Sequence, residues 1–100
     1  MQLFTIRRRN AWNNPLELQT TAKRSADIGN NQMADKVRWI RSYVVKEADG
    51  TLGTVCIYEA VDMQAIRDHA KCVGMPADEI SVVLDTVIIR DDPARNSEAA

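Results

Sequence analysis

The middle of the chain carries a hairpin signal, and a helix signal stands on each side of it. Val37 to Val45 is rich in β-branched and aromatic residues: Trp39, Ile40, Tyr43, Val44 and Val45. Asp49-Gly50-Thr51-Leu52-Gly53 is the turn and Thr54 to Glu59 the returning strand. The loop is longer than the two-residue minimum. Upstream, Asn14-Pro15 starts a helix, a cap followed by a residue with preset φ and no amide to leave unpaired. Leu18, Ala22, Ser25, Ala26 and Gly29 follow at spacings of three and four, and Asn30-Asn31 marks the end. Downstream, Asp62 caps a second helix with Ile66, Ala70 and Val73 as its stripe. Gly74 stops it and Pro76 follows.

Strands complete both ends. Residues 2–9 carry Leu3, Phe4 and Ile6 before a turn at Asn10, Asn13 and Asn14, and Ile80 to Ile89 is a long apolar run. The order is therefore β-α-β-β-α-β. Right-handed crossovers lead it to an α+β, ferredoxin-like fold: a four-stranded antiparallel sheet with both helices on one face. One domain is expected over residues 1–90, with residues 91–100 a flexible C-terminal tail. Size scaling lets such a chain bury about two thirds of its unfolded surface, enough for one modest core.

Alternation places Trp39, Arg41 and Tyr43 on one face of the second strand, and Arg38, Ile40, Ser42 and Val44 on the other. On the third strand, Val55, Ile57 and Glu59 oppose Cys56 and Tyr58. Both sheet faces are substantially apolar, and helices cover only one. The simplest expected cover for the other is a homodimer packed sheet against sheet, in the manner of dimeric α/β-barrels; the alternative is a monomer with a hydrophobic ligand on that face.

Charge excludes further classes. Thirteen basic and fourteen acidic residues leave no field for nucleic acid or an anionic membrane. The local excess, Arg7-Arg8-Arg9, reads as decoration of an edge or turn. No stretch reaches the length of a membrane span, and the basic residues follow the first apolar run instead of preceding it, so a cytoplasmic protein is expected. Cys56 and Cys72 then read as reduced thiols.

Candidate chemistry is sparse. His69 is the one imidazole, on or beside the buried stripe of the second helix. It reads either as a boundary histidine bonded to a neighbour or as a metal ligand or base. His69 and Cys72, three residues apart, make at most two ligands, short of a closed site. Cys56 and Tyr58 share a face that Glu59 does not, and a thiolate nucleophile there needs a base or cation. The acidic residues at turns and the two hairpin glycines form neither a carboxylate pair nor a phosphate cradle.

Three stretches together resemble a family: Val37 to Val44, Cys56-Ile57-Tyr58-Glu59-Ala60, and Ile66 to Ala70 followed by Gly74-Met75-Pro76-Ala77-Asp78. They are similar to a family of small bacterial ferredoxin-like proteins that includes a nickel-binding member. The resemblance is close over 37–80 and loose over 3–36 and 81–90. It implies a homodimer that binds nickel near its surface, for sequestration or detoxification. The positions that match are Trp39, Arg41, Ser42, Tyr43, Cys56, Tyr58, Glu59, Arg67 and His69; Cys72 stands where the family often has a basic residue. On that basis His69, Glu59 and Cys56 are the candidate metal donors, and Trp39, Arg41, Tyr43, Tyr58 and Arg67 the candidate pocket. Two alternatives stand beside nickel. One is a small-molecule-binding or enzymatic dimeric α/β-barrel domain, of oxygenase or isomerase type, and the other an interaction module with no site.

Overall fold

The computed structural model describes residues 1–93. Its elements are β1 (Gln2–Trp12), α1 (Pro15–Asn31), β2 (Val37–Lys46), β3 (Leu52–Ala60), α2 (Met63–Val73) and β4 (Glu79–Val82). The strands form one antiparallel sheet in the order β2-β3-β1-β4. The helices contact each other and the same side of the sheet. This is the expected ferredoxin-like α+β fold. Part of the expected tail, residues 94–100, lies outside the described residues.

The helix signals act as read. Asn14 Oδ1 accepts from the Glu17 amide at 3.0 Å, and Asp62 Oδ1 from the Ala65 amide at 2.8 Å. Each satisfies a first-turn N–H that has no partner within its helix. Gly74 ends α2 in the left-handed conformation, with φ of 85°, and its N–H returns to Ala70 O. A side chain there would be strained, which is why the stop is a glycine.

Phe4 and Ile6 of β1, Cys56, Tyr58 and Ala60 of β3, and Val37 of β2 are buried against Ala65 and Ile66 of α2. Residues of the opposite phase, Leu3, Thr5, Val55 and Ile57, are half-buried on the face away from the helices.

The strands depart from the sequence reading in three places. First, β1 continues through Asn10 to Trp12. Asn10 takes φ of 51°, a conformation asparagine tolerates, and the ladder is irregular between Arg8 and Trp12. Glu47 Oε2 accepts from the Asn10 amide, and the Asn10 side chain donates to Asp49 and Thr51. Two extra residues of β1 stand between the Arg8 and Trp12 pairings, so the phase is kept and Trp12 is buried on the side of Arg8.

Second, β2 has a bulge at Ile40. Trp39 pairs with Tyr58, yet Arg41 pairs with Ile57, the next residue along β3. One extra residue reverses the phase of alternation. Trp39 therefore shares the helix-side face with Ser42 and Val44, while Arg41 and Tyr43 lie on the opposite face.

Third, β4 stops at Val82 instead of reaching Ile89. In the antiparallel ladder Val82 pairs with Phe4, and the Val83 amide still reaches Leu3 O at 2.8 Å. Beyond that point the segment has no further ladder pairs with β1. Leu84, Val87, Ile88 and Ile89 are consequently exposed, at 94%, 83%, 72% and 81%. This arm leads from the β4 edge toward β2, where the Tyr43 hydroxyl donates to Asp92 Oδ2 at 2.6 Å.

Candidate functional site

The core-facing phase of β1 runs Phe4, Ile6, Arg8, so the third position places a guanidinium indoors. Arg8 is 2% exposed. Its Nε donates to the Pro76 carbonyl at 2.6 Å and its Nη1 to Cys56 Sγ at 3.2 Å. Its Nη2 is buried with no hydrogen-bond partner.

From Arg8 a polar chain runs from the interior out to the cavity mouth at Trp39 and back to α2. Cys56 Sγ accepts from Ser42 Oγ at 2.9 Å and lies 3.3 Å from Thr54 Oγ1. Ser42 Oγ in turn accepts from Trp39 Nε1 at 2.7 Å. The Ile40 bulge makes this possible, because it brings Trp39 and Ser42 to one face. The Trp39 ring stacks on Tyr58, with centroids 6.1 Å apart and planes 6° from parallel. The Tyr58 hydroxyl meets Ser25 Oγ at 3.1 Å.

His69 closes the chain at α2. Its ring is tilted against Tyr58 at 5.7 Å, and Nε2 donates to the Ser25 carbonyl at 3.1 Å. A carbonyl only accepts, so Nε2 carries the proton. Burial pulls the His69 pKa below its ordinary 6.5; the bond to Ser25 opposes this shift and the Arg8 charge adds to it. Burial also raises Tyr58 above 10.0, against the Ser25 hydrogen bond and Arg8. Both side chains are therefore neutral near pH 7.

Arg8, Ser42, Thr54, Cys56 and Tyr58 line a cavity of about 520 Å³ between the sheet and α1. Trp12, Leu18, Ala22, Trp39 and Val44 supply much of its apolar wall. This is within the size range of small-molecule pockets.

The anticipated residues separate into groups. Trp39 and Tyr58 line the cavity, and the Arg41 stretch of β2 borders it. Tyr43 does not line it: the Arg41 guanidinium lies 6.0 Å from the Tyr43 ring, on the face away from the helices. The bond to Asp92 raises the Tyr43 pKa. Arg67 is exposed on α2 and donates to Met63 Sδ. Cys72 is an exposed free thiol and Cys56 a buried one.

Of the candidate donors, Cys56 and His69 are buried on the helix side, whereas Glu59 lies on the opposite face. They do not converge within one chain. Among the described residues, no three His, Cys, Asp or Glu groups gather to hold a metal ion. The donors among the described residues of one chain therefore do not make a closed nickel centre.

Sequence reasoning missed Trp12, Ser25 and Thr54 as site residues and, above all, Arg8. The signal was present: an arginine in phase with Phe4 and Ile6 faces the core if the strand continues.

The sequence profile of the SCO4226-like family, described as nickel-responsive proteins, matches residues 4–83. Among solved structures, the chain is similar to SCO4226 from Streptomyces coelicolor A3(2), at 17% identity and a TM-score of 0.67. The match covers 85% of this chain and 99% of that one, and it shows a shared fold. No curated protein matches.

Proposed function

The chain belongs to the SCO4226-like family of nickel-responsive proteins, and from that premise we propose that it binds nickel as a homodimer and sequesters it. The observation that carries this reading is the family match itself, which spans residues 4–83. The donor inventory then sets the kind of site. One protomer gathers too few groups among its described residues, so each ion draws on sparse protein donors, water and the second copy. Ni²⁺ accepts carboxylate oxygen, imidazole and water, which suits such a site. Glu59 is the candidate donor on the face that a second copy would cover.

The arm supports the dimer. Four apolar side chains exposed together on one segment are costly in water and favour burial against another surface. A second copy offers the same arm and the same sheet face, as a two-fold interface requires.

Calorimetric titration of tag-free protein with Ni²⁺, together with sedimentation, tests the proposal. Saturable heat from a dimer is expected, with binding weakened in Glu59→Gln and in the Leu84→Glu/Ile88→Glu arm variant. Absence of saturable heat from the wild type would sink it.

A further inference from the structure

We propose that the cavity around Arg8 binds an organic monocarboxylate, an anionic head on an apolar body, independently of nickel. Arg8 is a buried cation without a carboxylate. The ion pairs among the described residues belong to its neighbours, Arg7 with Glu47 and Arg9 with Glu79. A buried charge without a counter-ion is strongly unfavourable, and a bound anion offsets that cost.

The hydrogen bonds identify where the anion goes. Arg8 Nε is engaged by the Pro76 carbonyl and Nη1 by Cys56 Sγ. Ser42 is committed to Trp39 and Cys56, and Tyr58 to Ser25. Arg8 Nη2 alone among the buried side-chain nitrogen and oxygen atoms of the described residues lacks a partner. Buried N–H groups are nearly always paired, and Nη2 belongs to a residue that lines the cavity. It is closed to water-sized contact, so an acceptor entering beside Arg8 meets it through a small turn of the guanidinium. A carboxylate oxygen makes the stronger, charge-assisted form of that bond.

The walls select the rest of the molecule. One buried guanidinium balances one negative charge. Arg41 does not add a second, because its guanidinium lies over Tyr43 on the other sheet face. A dianionic phosphate would therefore bring an excess charge indoors. Trp12, Leu18, Ala22, Trp39 and Val44 offer an apolar surface to the remainder of the ligand. The class is thus a small aryl or alkyl carboxylic acid.

Both tryptophans of the chain line the cavity, so their fluorescence reports on its occupancy. The full chain, kept metal-free with chelator, is titrated with phenylbutyrate, with phenylbutanol and with inorganic phosphate. Phenylbutyrate is expected to change the emission saturably and to bind about ten-fold or more tighter than the alcohol, as a hydrogen bond to a charged group implies. Arg8→Met should erase that preference. Ala22→Phe narrows the cavity without touching Arg8 and should weaken phenylbutyrate about ten-fold through overpacking. Equal affinity for acid and alcohol, no saturable response to the acid, or tighter binding of phosphate would overturn the proposal. The acid–alcohol comparison uses wild-type protein, so it decides the matter even if Arg8→Met fails to fold. The chelator separates this outcome from the nickel reading.

Discussion

The indole of Trp39 lies parallel to the ring of Tyr58, 6.1 Å between centroids, and it can also reach Ser42 because Ile40 bulges out of the ladder. An uninterrupted strand would put Trp39 and Ser42 on opposite faces. The bulge therefore assembles one wall of the cavity from two residues that strict alternation separates.

Deleting Ile40 tests that account. The neighbours of the bulge, Trp39 and Arg41, already pair with consecutive residues of β3, Tyr58 and Ile57. Removal closes the ladder without moving either side chain to the other face. The deletion variant is expected to fold, to keep Trp39 emission close to that of wild type, and to lose little thermal stability. Deleting Ile57 instead reverses the phase of half of β3 and should abolish cooperative unfolding by circular dichroism. Equal damage from the two deletions would contradict the bulge.

The element order was legible because caps and breakers are local chemistry. Asn14-Pro15, Asp62 and Gly74 act through groups a few residues away, and each does what its type predicts. Strand phase and strand length are not local in that sense. Ile40 reads as one more alternating residue, since nothing in its side chain announces a bulge. The run Ile80–Ile89 reads as one strand, but only its first residues pair with β1, a limit set by a strand far away in sequence. Arg8 was hidden differently: three consecutive arginines look like a solvated edge, although the phase set by Phe4 and Ile6 already pointed the middle one inward. The family motif drew attention to Trp39, Cys56 and Tyr58, which meet, and equally to Glu59 and Arg67, which lie elsewhere.

Tyr58→Phe leaves Ser25 Oγ buried without its hydroxyl partner. An unsatisfied buried hydroxyl costs about 1–3 kcal/mol, whereas removing both partners is far closer to neutral. Tyr58→Phe should therefore lower Tm by at least about 4 °C for a domain of this size. The double variant with Ser25→Ala should lose less than the two single losses added together. Additive losses in thermal denaturation would show that the two hydroxyls do not interact.

His69 should make the fold sensitive to mild acid. Its folded pKa lies below the ordinary 6.5, chiefly through burial, with the Arg8 charge adding to the effect and the Ser25 carbonyl opposing it. Below pH 6.5 the unfolded chain takes up a proton that the folded chain refuses. The stability contributed by neutral His69 is thus complete above that pH and falls as the pH drops toward the folded pKa. Urea unfolding at about pH 7.5 and pH 5.5 should show a larger loss for the wild type than for His69→Gln, which keeps an N–H for Ser25 and does not titrate. The same acid sensitivity in the variant would assign it to other groups.

Gly53 is the glycine whose replacement should be felt most. It pairs with Val45 at the closed end of the hairpin and is buried. A Cβ there would collide with the Arg8 carbonyl and fall 2.6 Å from Glu47 Oε2 and 2.7 Å from Arg7 Nη1. Those groups are already bound to one another, since Arg7 Nη1 donates to Arg8 O and Arg7 Nη2 to Glu47. An added methyl has to part the ion pair or shift β1 at the residue that carries the cavity's guanidinium. Gly53→Ala should cost about 1–3 kcal/mol by overpacking and also weaken phenylbutyrate binding through Arg8. Gly50→Ala is the control. Its φ of 88° makes a side chain strained, but no atom lies within 4 Å of the new Cβ. That variant should cost only about 1 kcal/mol in backbone strain and leave ligand affinity unchanged. Denaturant titration and the fluorescence assay together read both effects, and a Gly53→Ala protein as stable as wild type would refute the close approach.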